Sequence, residues 1–491
     1  SRTSIAFGLG ILCVLGVWLV MEGKSVVSDY EFEQEIGRLE SGKASADQTP
    51  TPDDNTKTAG NTEDAGGNGG TPKTNGEGDP DGDKPQPKPA EPQVASFDEY
   101  ANQWAQFRGW QGMAVCKFKD IPTEWDEESK KNIAWKVPVP MKGLSSPIVW
   151  GDKVFLTGAT RQKRETYCYD AKTGKLLWTG TYESNPAAPT DYSVYDSVSD
   201  VIHGAPTSVA DGKHVYSFFA NGEVACFDFN GKFVWSKYVA SPLDNGYGNS
   251  ASLLKYKDTV VVLLDGEDLG LYGLDGKTGK LLWSTQRNGN TWASPILIKS
   301  PKGSVQVVCS SNPVVEAFDP NTGERLWESS AVLGGDVAPT PTYNGGRVYA
   351  GMKDYSLAAF DPDQKGKMLW ELWELEEASL PETTSPVSNG DLVYYYEGYM
   401  LVCVDAKTGE IVYEQDVGDE ASYASPTIVG DKLYLFAGNL TKIVQVGREY
   451  KLLGTNKLES NVWLSASPAF APGRMFLRGD GHLYCITKKA Q

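Results

Sequence analysis

Short apolar runs alternate with turn residues along most of the 491-residue chain, and this pattern repeats about every 40–47 residues. Each copy starts at a Ser-Pro or Ala-Pro pair, continues with β-type residues and ends in a phrase close to Asp-x-x-Thr-Gly-Lys-x-x-Trp. A repeat of this length is typical of β-propeller blades. The ending is clear in three copies and weaker in three more: Asp170–Trp178, Asp275–Trp283 and Asp319–Trp327, then Asp228–Trp235, Asp361–Trp370 and Asp405–Tyr413.

The starting pairs number eight and therefore predict eight blades, each with four short strands separated by turns. Seven of them contain proline, and Ala251-Ser252 is a degenerate copy. The pairs are Ser146-Pro147, Ala205-Pro206, Ala251-Ser252, Ser294-Pro295, Ala338-Pro339, Ser385-Pro386, Ser425-Pro426 and Ser467-Pro468.

The last repeat is incomplete, because no fourth strand follows Leu483–Ile486. An unassigned strand, Asn132–Val137, precedes the first repeat and carries Trp135. A ring closed by both chain ends leaves no open sheet edge between its first and last blades. We therefore expect an all-β fold, an eight-bladed β-propeller closed by an N-terminal strand.

The repeated ending has a structural interpretation. A Thr-Gly turn needs glycine at positive φ to reverse the chain, as at Gly174, Gly279, Gly323 and Gly409. The tryptophan that follows can bury roughly 150–250 Å² against the neighbouring blade. These residues are predicted to dock the blades: Trp135, Trp178, Trp235, Trp283, Trp327 and Trp370.

The N-terminal part of the chain has a different composition. Residues 1–24 contain an uncharged apolar stretch, predicted to be a transmembrane anchor, with a cleaved signal peptide as the alternative. Arg2 lies in the short segment before the apolar stretch, and this positive charge predicts a cytoplasmic N-terminus and a periplasmic or extracytoplasmic propeller. Residues 25–40 would form a juxtamembrane segment, 41–96 a disordered Gly-, Pro- and Asp-rich linker, 97–131 an N-terminal extension, and 132–491 the propeller.

The amino-acid composition argues against several classes of partner and of functional site. A net charge of −18, from 64 acidic and 46 basic residues, argues against nucleic acid and against an anionic membrane surface as the partner. Cys168, Cys226, Cys403 and Cys485 occupy equivalent third strands, so they should be buried and unpaired rather than disulfide-bonded. The three histidines lack metal-ligand spacing, and no motif marks a nucleophile, so no catalytic or metal-binding residue is predicted.

Candidate binding residues come just before the blade starts, where loops should rim one mouth of the central channel. Channel mouths favour ligands, although such residues can equally plug a channel or bind water. The candidates are His203, Tyr247, Trp292, Asp336, Thr384, Tyr423 and Trp463.

From Trp104 to Ile486 the chain resembles the pyrroloquinoline-quinone-like (PQQ-like) repeat propellers, whose blades carry the same Asp-x-x-Thr-Gly-Lys-x-x-Trp phrase. The segments Trp104–Gly109, Pro122–Trp125 and Ile133–Lys136 are similar to the membrane-attached or secreted members common in planctomycetes. Related rings include quinoprotein dehydrogenases and the propeller lipoprotein of the outer-membrane barrel-assembly machinery. This chain has no adjacent Cys-Cys pair of the dehydrogenase kind, and Cys13 lies within the apolar span rather than in a lipobox.

Two functions remain open. The first is a membrane-tethered, non-catalytic scaffold that needs no cofactor and binds a protein or cell-envelope polymer through a face of the ring. The resemblance implies the second, an oxidoreductase that uses PQQ with calcium.

Overall fold

Each copy of the repeat folds as one antiparallel sheet whose four strands follow one another in chain order. The computed structural model describes residues 96–160, 163–188, 204–239, 249–264, 270–287, 289, 291–330, 333–335, 337–373, 380–479 and 481–488. The predicted anchor, the juxtamembrane segment and all but the last residue of the linker lie outside this part. Within it, no helix is both long and apolar enough to cross a membrane.

Blades 1 to 4 share this arrangement. Their strands are β3 (Ile148–Trp150), β4 (Lys153–Ala159), β5 (Arg164–Asp170) and β6 (Leu176–Gly180); β7 (Val209–Ala210), β8 (His214–Phe218), β9 (Glu223–Asp228) and β10 (Phe233–Tyr238); β11 (Leu254–Tyr256), β12 (Thr259–Leu264), β13 (Gly270–Asp275) and β14 (Leu281–Gln286); and β15 (Ile296–Lys299), β16 (Val305–Ser310), β17 (Val314–Phe318) and β18 (Arg325–Ser330).

Blades 5 to 7 continue the series, and three strands of blade 8 follow them. These are β19 (Thr342–Asn344), β20 (Arg347–Gly351), β21 (Ser356–Asp361) and β22 (Lys367–Trp373); β23 (Val387–Ser388), β24 (Leu392–Glu397), β25 (Met400–Asp405) and β26 (Ile411–Asp416); β27 (Thr427–Val429), β28 (Lys432–Ala437), β29 (Leu440–Gln445) and β30 (Leu452–Lys457); and β31 (Ala469–Ala471), β32 (Arg474–Gly479) and β33 (His482–Thr487).

The eighth blade is completed by the N-terminal strand β2 (Ile133–Pro138), which pairs antiparallel with β33 and sets Trp135 opposite Cys485. The predicted closure is therefore confirmed, with the strand shifted by one residue. The innermost strand of blade 8, β31, also contacts that of blade 1, β3, so the ring is continuous. The eight-bladed, all-β prediction is confirmed with it.

The core lies between the blades. The second and third strands of each sheet are almost wholly buried, because each face packs against a neighbouring blade, whereas the outermost strands keep exposed residues. The four cysteines expected in third strands are buried and unpaired. Burial raises the pKa of Cys168, Cys403 and Cys485 to about 12, so these thiols are unreactive at neutral pH.

The N-terminal extension has a structure that the repeat does not predict. It contains helix α1 (Phe97–Ala101), a 3-10 turn (Trp110–Gly112) and β1 (Val115–Cys116). Strand β1 pairs parallel with β27 and adds a fifth strand to the inner edge of blade 7. A second 3-10 turn, Pro362–Gln364, takes the place of the Thr-Gly turn in blade 5.

Candidate binding site at the mouth of the channel

The channel is encircled by eight hydroxyl side chains, one from each blade at the same position before the innermost strand. In seven of the eight blades, the backbone N–H of this residue donates to the hydroxyl oxygen of the equivalent residue in the next blade, at 2.9 to 3.1 Å. The series begins with the Ser146 N–H, which donates to Thr207, and ends with the Ser425 N–H, which donates to Ser467. We call this the hydroxyl ring: Ser146, Thr207, Ser252, Ser294, Thr340, Ser385, Ser425 and Ser467.

Sequence reasoning missed the ring because it aligned the starting pairs on proline. The β-bridge registers align Thr207 and Thr340 with Ser146. The proline follows the ring residue in blade 1 but precedes it in blades 2 and 5, so it stands two residues earlier there. The signal was present in the sequence, because a serine or threonine occurs at or just after every starting pair.

A second layer of side chains lies two residues before the hydroxyl ring in each blade, at the end of the channel that we call the mouth face. Together with the ring it lines a cavity of about 140 Å³. The layer consists of Leu144, Ala205, Ser250, Trp292, Ala338, Thr383, Tyr423 and Ser465.

The opposite end of the channel is covered by residues 97–131, which we call the plug segment. Trp104 exchanges two backbone hydrogen bonds with Val149 of blade 1, at 3.2 and 2.7 Å. The Ala114 carbonyl accepts the Ile428 N–H of blade 7 at 2.9 Å. Phe107 forms part of the cavity lining, so the described channel is open mainly at its mouth face.

Arg108 of the plug segment is buried under the ring. Its guanidinium donates to the Thr340 carbonyl at 3.4 Å and to the Pro386 carbonyl, while its Nε has no hydrogen-bond partner among the described residues. Burial lowers the pKa of Arg108 to about 9, which still leaves the group charged at neutral pH.

The seven predicted binding residues do not form one site. Trp292 and Tyr423 line the channel mouth. Trp463 is 46% exposed and lies over Gly438 of blade 7, outside the channel lining. The Thr384 hydroxyl donates to the Tyr396 carbonyl at 2.6 Å and is buried within blade 6. Of the rest, His203, Tyr247 and Asp336 lie outside the described residues.

A groove of about 650 Å³ lies beside Tyr423 on the mouth face, between blades 6 and 7. Its walls carry exposed tyrosines, Tyr399 and Tyr423, 53% and 62% exposed. Four carboxylates also line it: Glu382, Glu397, Asp416 and Glu420.

One of these carboxylates shapes the groove. Glu397 accepts the backbone N–H groups of Glu382, Thr383 and Thr384 at 3.0 to 3.2 Å. Lys353 neutralises Glu382 across a 2.7 Å ion pair. The groove was not predicted, because its residues come from separate loops of blades 5, 6 and 7.

The predicted docking tryptophans all pack on the following blade. Each indole lies against the glycine in the turn that follows the next blade's third strand, for example Trp178 against Gly231 and Trp370 against Gly409. Trp178 and Trp370 also donate their indole N–H to that blade's backbone at 3.1 Å.

The described residues contain no cluster of His, Cys, Asp or Glu arranged to hold a metal ion. Comparison with known proteins supplies the family. The family model described as "Outer membrane protein assembly factor BamB", a PQQ-like repeat model, matches residues 122–245, 197–330, 291–398 and 366–445, more than half of the chain. The chain belongs to this family.

Individual relatives are distant. Tetrathionate hydrolase of Acidithiobacillus ferrooxidans is 25% identical over 293 residues, 55% of this chain and 53% of that protein. The outer membrane protein assembly factor BamB of Burkholderia pseudomallei is 28% identical over 236 residues, 45% of this chain and 58% of its own. The chain thus spans little more than half the length of these curated relatives.

Solved structures show the same fold. BamB from Moraxella catarrhalis superposes with a TM-score of 0.55 at 17% identity, over 73% of this chain and 98% of that one. The quinohemoprotein alcohol dehydrogenase ADHIIG from Pseudomonas putida HK5 gives a TM-score of 0.59 at 12% identity, over 80% and 82%.

The quinone implied by the dehydrogenase resemblance does not fit the described channel. A cavity of about 140 Å³ is smaller than the roughly 300–1,000 Å³ of typical cofactor sites. Its described lining is hydroxyl and apolar, with no carboxylate, whereas calcium requires several oxygen ligands that usually include carboxylates.

Proposed function

We propose that the protein is a non-catalytic binding and scaffolding propeller whose mouth face engages another protein, with a cell-envelope polymer as the other possible partner. The observation that carries this proposal is the exposure of three large aromatic side chains on that face of successive blades: Tyr399, Tyr423 and Trp463. Tyrosine and tryptophan dominate binding hot spots and have no structural need for such exposure.

The family supports a protein as the partner. Its model and several relatives are described as outer membrane protein assembly factors. The acidic groove beside Tyr423 would favour a partner segment that carries lysine or arginine, because opposite charges steer association.

We further propose that the propeller is extracytoplasmic and tethered to the cytoplasmic membrane by residues 1–24. Arg2 and the apolar stretch after it support an anchor with a cytoplasmic N-terminus. Protease added to spheroplasts should cut the tether between Gly66 and Gly78 and release an intact propeller. A tether that stays protected until the membrane is permeabilised would contradict this topology.

The binding role can be tested by site-specific photo-crosslinking in the full chain. A photoreactive residue at position 423 should form a discrete adduct with one protein, whereas the same residue at Lys172 should not. Lys172 lies in the blade 1 Thr-Gly turn and bonds to Asp152, next to Gly151, whose N–H donates to Gln103 of the plug segment at the opposite end of the channel. The Trp463→Ala change should weaken the adduct. Equal adducts from both positions, or none from position 423, would contradict the proposal.

The alternative, a PQQ-dependent oxidoreductase, rests on the fold shared with ADHIIG, since the described channel does not fit the quinone. Adding pyrroloquinoline quinone and calcium to the full chain distinguishes the two. A stoichiometric bound chromophore that turns over an alcohol would support the oxidoreductase, and an unchanged absorption spectrum would support the scaffold.

A further inference from the structure

The hydroxyl ring has donor capacity that the protein does not use. In seven of its members the hydroxyl oxygen accepts a backbone N–H, so one of its two lone pairs is engaged and its O–H hydrogen is left to donate. No described group accepts a hydrogen bond from any of the eight hydroxyls. All eight hydroxyls line the same cavity, so their O–H hydrogens are available to a ligand inside it.

A buried positive charge lies next to the ring. Arg108 is 1% exposed, and no carboxylate among the described residues pairs with it. Its two guanidinium hydrogen bonds reach carbonyls of blades 5 and 6, at Thr340 in the ring and at Pro386 next to ring member Ser385. A buried cation without a paired anion is costly, and a nearby anion would offset that cost.

The size of the cavity limits the anion. The cavity volume of about 140 Å³ is well below the roughly 300–1,000 Å³ of pockets that hold drug-sized ligands. That is room for one small ion, and it is too little for a nucleotide or a peptide. The hydroxyl groups could donate to several oxygens at once, as a tetrahedral ion requires.

From these observations we infer that the channel is a binding site for one small tetrahedral oxyanion of the sulfate or phosphate class, held by the hydroxyl ring above Arg108. The site is reached from the mouth face, past Trp292 and Tyr423. It does not depend on the proposed protein partner, which would contact the outer surface of that face.

The test uses selenate, an isosteric heavy-atom analogue of sulfate, with the full chain at constant ionic strength. Equilibrium dialysis should show one selenate per chain with a Kd of about 1 mM or tighter. Anomalous scattering from crystals grown with selenate should give one peak on the channel axis at the level of the ring. A peak elsewhere, or none, overturns the inference.

Four variants distinguish binding by the ring from general charge effects. Thr340→Val removes one donor at nearly constant volume and should weaken selenate binding by about tenfold, while Thr340→Ser should bind within about twofold of the unmodified protein. Arg108→Gln should weaken binding more than Thr340→Val, and Arg448→Gln, at an exposed surface arginine, should not. Near-ultraviolet circular dichroism verifies that each variant is folded. Binding that Thr340→Val leaves unchanged overturns the inference, and the anomalous peak decides the question if that variant does not fold.

Discussion

The indole of Trp327 lies against Gly366 of the next blade so closely that a Cβ at Gly366 would come within 2.2 Å of the indole Cε3. The indole N–H donates to Gln306 within its own blade at 2.8 Å. Gly366 also has φ +69°, so the position needs glycine for two separate reasons: the backbone conformation and the close approach of the ring.

Gly366→Ala should therefore destabilise the propeller by about 3 kcal/mol, since backbone strain and overpacking add. Gly151→Ala is the matched control, because Gly151 has φ +57° but nothing within 4 Å of its Cβ position. It should cost only about 1 kcal/mol. Urea unfolding of both variants measures the difference, and equal losses would show that the indole contact contributes nothing.

Trp135→Ala should weaken the closure of the ring. Its indole lies so close to Gly174 of blade 1 that a Cβ on Gly174 would be 2.7 Å from the indole Cδ2. The strand that carries Trp135 is the fourth strand of blade 8. We expect a loss of about 3 kcal/mol in the free energy of unfolding, at the low end for tryptophan because the side chain is partly exposed. Trp373→Ala, at a 55% exposed position, is the control and should be nearly neutral. An unchanged melting temperature for Trp135→Ala would contradict a structural role for the closing strand.

Trp104→Ala tests the plug segment. Trp104 is 3% exposed and packs edge-to-face on Phe470 of blade 8, with ring centroids 4.8 Å apart. Its loss should cost about 3–5 kcal/mol, as for other buried aromatic side chains. Hydrogen exchange should then increase in the innermost strands β3 and β7. Exchange that increases only within residues 97–131 would show that the plug segment and the ring fold independently.

Stability should decrease in acid because of Asp211. Burial alone would raise the pKa of this carboxyl, but hydrogen bonds from His214 and Tyr216 and the charge of Lys255 outweigh it and lower the pKa to about 2. A depressed pKa stabilises the fold above the unfolded value near 4 and loses that effect as the pH falls towards 2. The contribution is about 2 kcal/mol.

Melting measured between pH 5 and pH 2 checks this expectation. Asp211→Asn should flatten the decrease, whereas Asp120→Asn, at an exposed aspartate, should not. Identical pH profiles for Asp211→Asn and the unmodified protein would assign the acid sensitivity to other groups.

Tyr423→Ala should leave stability within about 0.5 kcal/mol of the unmodified protein, because the side chain is 62% exposed. Binding of a protein partner should weaken by about 2 kcal/mol, as for an aromatic hot spot. Trp327→Ala should show the opposite pattern, with lower stability and binding reduced only through unfolding. Loss of stability in Tyr423→Ala comparable to that in Trp327→Ala would make Tyr423 a core residue.

The sequence by itself determined the number of blades, their closure and the residues that dock them. The blade count and the docking contacts depend on local chemistry that recurs at a constant spacing, a glycine turn followed shortly by a tryptophan. The closure follows from a strand that is missing in the last repeat and present before the first. Trp178 and Gly231 show this well, since each belongs to a copy of the repeated phrase and the contact follows once neighbouring copies stack.

The tertiary structure decided the plug, the acidic groove and which of the recurring serines and threonines form the hydroxyl ring. Arg108 and Thr340 are 232 residues apart and meet only because the plug segment crosses beneath the closed ring. Thr207 and Thr340 join the ring because strand register, rather than proline, sets the equivalent positions. A periodic pattern specifies contacts that recur in every blade, whereas the plug and the groove combine one non-repeating segment or several different loops, and only the closed fold brings these parts together.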